Sequence, residues 1–340
     1  MYTSFYGLCE KPFSLTPDPR FLFLSAPHRE ALAHVLYGIE QGEGFIAITG
    51  EVGTGKTTLC RTLLQRLERD TEIAFLFNPT LSGKALVRAI SQEVGLDTRG
   101  KTRSDLTDQL YEFLLETNRR GRRVLLIIDE AQNLRPETLE EIRLFSNLET
   151  TTSKLLQILL FGQPELDEKL ESRELRQLRQ RISVRWNLRP MTLGETREYV
   201  RHRLAVASGS DREVFTDRAL REVQRRSRGI PRLINLLCDR ALLSGFAAGL
   251  AQIGPEQVST AAKEILGARR RRRFARFFAL RRAAGVALLA LTLLAGAGAL
   301  LAAARPGWSP LELLPGLSTA SLETPVQAGV AALVDPGERR

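Results

Sequence analysis

Short apolar runs alternate with amphipathic stretches along the first half of the chain. Phe45–Thr49, Ile73–Phe77, Val124–Ile128 and Leu155–Phe161 are almost wholly apolar. Apolar runs of that length between turn residues read as strands buried on both faces. Ile182–Leu188 is a last strand candidate. Between the strands, apolar residues recurring every three to four positions predict helices over Pro27–Gly38, Lys56–Asp70, Gly83–Val94, Leu106–Asn118 and Glu137–Leu148. Strands separated by helices imply an α/β fold, a parallel sheet with right-handed crossovers. Beyond Leu188 the pattern is helical throughout: Leu193–Ala207, Asp217–Ser227, Pro231–Ala248 and Pro255–Leu266. The step from Pro190 to Met191 is the expected hinge. It divides an α/β domain, residues 1–189, from a small helical domain, residues 190–267.

A different pattern follows. Residues 283–304 carry no charge and a single Thr. As a helix this segment would be about 33 Å long, which matches a bilayer hydrocarbon core of about 30 Å. Soluble helices of that length normally keep one polar face, so the segment reads as a single transmembrane helix. Eight arginines (269–273, 276, 281 and 282) crowd the stretch just before it, residues 268–282, while Arg305 alone follows closely. The positive-inside rule then puts the N-terminal domains in the cytoplasm and the short tail on the other side. Residues 305–340 form a short Pro-rich tail.

Composition narrows the function classes. The chain of 340 residues is 43% hydrophobic and 26% charged, which excludes wholesale disorder. Its three cysteines, Cys9, Cys60 and Cys238, are far apart, and its three histidines show no ligand spacing. That excludes a disulfide scaffold and a zinc site. The net charge of +10 suggests a nucleic-acid partner. The arginine cluster beside the apolar segment accounts for most of it, so a nucleic-acid partner is not expected.

Gly50-Glu51-Val52-Gly53-Thr54-Gly55-Lys56-Thr57 fits GxxxxGK[ST] between a strand and a helix. Glycines let backbone N–H groups turn in around phosphates, and the helix N-terminus adds partial positive charge. These residues, with Thr58 next to them, are expected to hold ATP. Lys56 would reach the outer phosphates, and the Thr57 hydroxyl would hold Mg²⁺. Asp129 and Glu130 end the apolar strand 124–128, at the sheet edge where ligands bind. Asp129 is expected to complete the Mg²⁺ shell and Glu130 to activate the attacking water. Gln163 ends the next strand and is a candidate sensor of the γ-phosphate. Arg173, Arg176, Arg179 and Arg181 surround a helix before the last strand. Arg179 or Arg181 is the candidate finger for a neighbouring subunit's nucleotide. Gly229-Ile230-Pro231-Arg232 opens a helix, and Arg232 is placed to swing over the nucleotide as part of a lid.

Taken together, the phosphate loop, the Asp-Glu strand end, the polar sensor, Arg-Gln-Arg-Ile at 179–182 and the Gly-Ile-Pro-Arg helix start resemble AAA+ ATPases. More narrowly, the N-terminal residues 1–7, Lys11-Pro12-Phe13, Leu15–Pro19, His28–Leu32, Asp129–Gln132 and Phe161–Leu166 resemble the general secretion pathway protein A (ExeA-type) family. The resemblance covers about residues 1–267. It implies a membrane-tethered ATPase that helps assemble a type II secretion or pilus-type envelope machine, self-associates as a dimer or ring, and works with a partner membrane protein. It further implies a peptidoglycan-binding domain beyond the span. The 36 residues after Ala304 cannot hold such a domain, so a shortened version or a truncated gene product is expected. The alternative is an AAA+ DNA-binding helper of the transposition type. A DNA motor should carry its basic stripe on the folded domains, whereas here the excess lies beside the span.

Overall fold

Alternate side chains of the central strands point to opposite faces of the sheet, and both faces are apolar. The strands are β1 (Phe45–Thr49), β2 (Thr71–Leu76), β3 (Arg123–Ile128), β4 (Gln157–Gly162) and β5 (Ile182–Asn187). All pair in parallel, in the order β2-β3-β4-β1-β5. Every residue of β1 and β4 is buried, and β3 is buried after its first residue. That is the reason these strands read as unbroken apolar runs rather than as an alternation. The edge strand β5 instead alternates half-buried and exposed positions.

This structure, a computed structural model, describes residues 1–265 except 17, 68–69, 78–80, 82, 151–152 and 209–212. The basic linker 268–282, the span 283–304 and the tail 305–340 lie outside the described residues. Among the described residues, no helix is long and apolar enough to cross a membrane.

On the first face Phe45, Ala47, Leu126, Ile128, Ile158 and Leu160 share a core with several helices. These are α4 (Lys84–Glu93), α5 (Arg103–Arg119), α6 (Pro136–Phe145), α7 (Pro164–Leu170) and α8 (Arg176–Arg181). On the second, Ile46, Ile48, Leu125, Ile127, Leu159 and Phe161 pack with α2 (Ala26–Glu40) and α3 (Lys56–Arg66). The result is a three-layer α/β/α sandwich. Local chemistry sets the helix ends. In α5, Thr102 and Asp105 form a reciprocal capping box, which starts the helix three residues before Leu106, the expected first residue. A Thr216 cap opens α10 (Asp217–Ser227) at the expected residue.

The helical domain consists of α9 (Leu193–Ser208), α10, α11 (Pro231–Ala247) and a last helix over 255–265. Its core takes in Tyr2, Tyr6, Leu8, Phe13 and Phe21 from the N-terminus. Tyr2 and Tyr6 are carried by or directly follow the short helix α1 (Tyr2–Phe5), and the Tyr2 hydroxyl donates to Asp239 at 2.5 Å. The first residues, which sequence order places with the α/β domain, therefore pack with the helical one. At the step expected as the hinge, the buried Met191 donates its N–H to the Gly229 carbonyl at 2.9 Å. A Cβ on Gly229, whose φ is +76°, would fall 2.0 Å from the Met191 carbonyl oxygen, so only glycine fits there.

Candidate functional site

The strand order sets up the site. Thr49 at the end of β1 pairs with Gly162 at the end of β4, and Ile128 at the end of β3 pairs with Leu160. Three chain segments therefore leave the same edge side by side: the Gly50–Thr57 loop, Gln163, and the pair Asp129 and Glu130. A cavity of about 450 Å³ opens there. It is lined by the loop, by Glu130 and Gln163, by N-terminal residues including Phe21 and Phe23, and by helical-domain residues including Tyr199 and Arg232.

The loop has the geometry of an anion cradle. Gly53 and Gly55 adopt φ of +86° and +103°, conformations that favour glycine. Each is also crowded. A Cβ on Gly53 would lie 2.7 Å from Arg232 Cβ, and one on Gly55 would lie 2.6 Å from His28 Nε2. Lys56, only 7% exposed as a residue, donates from its ammonium to the Gly50 carbonyl at 2.7 Å and to that of Glu51 at 3.1 Å. Burial pulls its pKa below the ordinary lysine value, against the opposing pull of Glu130, Asp129, Glu51 and Glu165.

Next to the loop, the Thr57 hydroxyl donates to Asp129 Oδ2 at 3.4 Å. The Asp129 carboxyl is buried, which pushes its pKa up. A hydroxyl and a carboxylate are hard oxygen donors, and such a pair fits Mg²⁺, which takes most of its shell from water and phosphate. Among the described residues, no cluster of three or more His, Cys, Asp or Glu side chains could hold a metal by itself.

Glu130 is held by features that the bare strand-end motif does not contain. Its backbone is left-handed, with φ of 55°, a conformation that costs a non-glycine residue of order 1–3 kcal/mol and recurs at functional sites. Its Oε2 accepts from two amides: Gln163 Nε2 at 2.8 Å and Gln132 Nε2 at 2.5 Å. Gln132 Oε1 in turn accepts the Gln163 backbone N–H at 3.0 Å, closing a ring of hydrogen bonds across the ends of β3 and β4. Gln163 is the N-cap residue of α7, so Pro164 starts a helix rather than a plain turn.

The helical domain reaches the loop directly. Arg232, at the second position of α11, donates its backbone N–H to the Gly53 carbonyl at 3.3 Å, and its side chain lines the cavity. Arg203, buried in α9, fastens the N-terminal segment to the same wall. It donates to the carbonyls of Pro12 at 2.6 Å and Ser14 at 3.3 Å, and to the Tyr199 hydroxyl at 2.8 Å. Its guanidinium also sits 4.9 Å from the centre of the Phe21 ring.

The structure brings Lys56, Thr57, Thr58, Glu130, Gln163 and Arg232 to one cavity, with Asp129 hydrogen-bonded beside it. It does not bring Arg179 or Arg181 there. Arg179 pairs with Glu171, and Arg181 donates to Ser146 Oγ at 3.0 Å, both on α8 next to the edge strand. The sequence pattern does not mark Gln132, His28 or Arg203 as site residues. His28 had one available signal, since it shares the apolar face of α2 with Ala31, Leu32, Val35 and Ile39.

Comparison with known proteins agrees with this geometry. Residues 39–170 match the AAA domain family. In solved structures the same fold occurs in Cdc6p of Pyrobaculum aerophilum, with a TM-score of 0.58 and 19% identity over 75% of this chain and 70% of that one. It occurs again in the ORC2 protein of Aeropyrum pernix, with a TM-score of 0.55 and 19% identity over 75% and 71%. General secretion pathway protein A of Aeromonas hydrophila is 48% identical over 270 residues, which are 79% of this chain and 49% of that protein. The chain thus spans about half the length of the curated relative it matches. A match of this length takes in both the sheet and the helical domain, well beyond the loop shared by all such folds, and the chain is similar to general secretion pathway protein A across both, with an AAA domain at residues 39–170.

Proposed function

We propose that this protein hydrolyses ATP at the inner face of a bacterial inner membrane and couples that cycle to assembly of a secretion or pilus-type envelope machine. The observation that carries the ATPase reading is the meeting of Lys56, Glu130, Gln163 and Arg232 around one cavity. The loop N–H groups and Lys56 bind and orient the phosphates, and the low-dielectric wall strengthens those contacts. Mg²⁺, when bound beside Thr57 and Asp129, neutralises phosphate charge. Glu130 takes the proton of the attacking water, with its carboxylate aimed by Gln132 and Gln163. Gln163 touches Glu130 and lines the cavity, so it is placed to relate nucleotide state to the base. Arg232 ties the same nucleotide to the helical domain, which acts as a lid.

Arg179 and Arg181 lie off the cavity of their own chain, so a finger role for either requires a second copy in a dimer or ring. The secretion role is carried over from the Aeromonas relative, and a partner membrane protein is part of that proposal.

Gln132 is a positioning residue in this scheme. Gln132→Ala should lower kcat for ATP about tenfold and leave KM within about twofold, because misaiming a base affects the reaction step rather than binding. Steady-state phosphate release measures both. An unchanged kcat would leave Gln163 as the sole support of Glu130.

Membrane anchoring rests on the apolar segment 283–304 and the arginines before it. After alkaline extraction of membranes, the full chain should stay in the pellet. Protease added outside the cytoplasmic membrane should cleave a C-terminal tag and spare the N-terminal domains. Release into the supernatant would refute the anchor and leave the nucleotide chemistry untouched.

A further inference from the structure

We infer that His28 is a positioning residue for the phosphate loop, one that aims the Gly55 N–H at the nucleotide. The inference rests on the nucleotide reading of the cavity. His28 is 3% exposed in the first turn of α2 and lies directly against the loop. Its Nε2 is 2.9 Å from the Thr54 carbonyl oxygen, and its Nδ1 is 2.6 Å from Ser25 Oγ. A carbonyl only accepts, so Nε2 must carry the hydrogen. In the neutral ring Nδ1 is then an acceptor, and the Ser25 hydroxyl donates to it. Burial favours this neutral form by lowering the histidine pKa.

The peptide plane turns this contact into a device. In a trans peptide the C=O of one residue and the N–H of the next point in opposite directions. Fixing the Thr54 carbonyl toward His28 therefore fixes the Gly55 N–H toward the other side of the loop. A phosphate cradle is a set of N–H groups aimed inward, and it forms only if the matching carbonyls are satisfied outside. Gly50 and Glu51 offer their carbonyls to Lys56, and Gly53 offers its carbonyl to the Arg232 N–H. His28 does the same for Thr54. Gly55 leaves room for the ring, because a Cβ there would collide with Nε2. Ser25, immediately before α2, holds the ring in place, so the relay runs from a helix start to the loop, with His28 and Thr54 26 positions apart in sequence.

The test uses the full chain and calorimetric titration with MgADP and, separately, adenosine. His28→Leu keeps the bulk and removes both hydrogen bonds, whereas His28→Gln puts an amide N–H near the position of Nε2. Losing one well-placed hydrogen bond to a buried carbonyl should weaken MgADP binding about tenfold in His28→Leu, and His28→Gln should return to within about threefold of wild type. Adenosine binding should be the same in all three. Ser25→Ala, which removes a single hydroxyl and carries the test if His28→Leu fails to fold, should weaken MgADP binding about threefold. Unchanged MgADP affinity in His28→Leu and Ser25→Ala would overturn the inference. So would equal losses for MgADP and adenosine, the mark of a merely structural residue. Failure of the wild type to bind MgADP would instead overturn the nucleotide reading, and this inference with it.

Discussion

Lys56→Ala is expected to abolish nucleotide binding while the domain stays folded. The ammonium is buried between the Gly50 and Glu51 carbonyls and lies at the mouth of helix α3, where phosphates gather. A charge-assisted contact is worth about 1.5–3 kcal/mol, and Lys56 would make two of them to phosphate oxygens. Their loss should weaken MgATP binding by about two to four orders of magnitude. Stability should respond differently. Burial lowers the pKa of Lys56, which means that the folded state disfavours the charged form relative to the unfolded chain. At neutral pH that is a cost of folding, and removing the charge removes the cost. The nucleotide-free melting temperature of the variant should therefore stay within a few degrees of wild type. The rise on adding MgATP, worth about 2.7 kcal/mol at a hundredfold excess over Kd, should vanish. Thermal denaturation with and without MgATP reads both quantities. A variant that keeps its MgATP-dependent rise would mean that the loop is not where phosphates bind.

Much of this site was legible because its parts are local. Gly50–Thr57 is a contiguous pattern, and β1, β3 and β4 stand out because strands buried on both faces leave no polar positions. α10 starts where Thr216 caps it and ends where Arg228 and Gly229 turn left-handed, and both signals can be read from residue type. What escaped was long-range or short. Helices α1 and α7 span less than the two turns over which periodicity declares itself. The N-terminal residues join the helical domain through contacts such as Tyr2 with Asp239 and Arg203 with Pro12, which nothing within a local window encodes. Gln132 lies two residues from Glu130 in sequence, yet its role depends on the ends of β3 and β4 lying close together in the sheet. For the arginines, residue type alone suggested a finger. Their actual partners, Glu171 and Ser146, depend on how α7, α8 and the end of α6 pack.

Glu130→Gln should separate binding from hydrolysis. The substitution keeps the shape of the side chain and an oxygen that can accept from Gln132 and Gln163, so the hydrogen-bond ring across the strand ends persists. It removes the negative charge and with it the capacity to take a proton from water. General-base catalysis contributes about 10²–10⁴-fold, and turnover should fall by that factor. Binding should not fall, because Glu130 sits on the Lys56 side of the cavity as a negative charge near where the phosphates gather. Neutralising it removes a repulsion, and MgATP affinity should be equal or higher. Gln132→Ala acts on the same group through its orientation alone, so its smaller loss of kcat should be largely absent when Glu130→Gln is already present. That non-additivity is the signature of residues acting as one unit. Single-turnover phosphate release on the two single variants and the double variant measures it. Wild-type turnover in Glu130→Gln would remove Glu130 as the base, and a full tenfold further loss in the double variant would detach Gln132 from it.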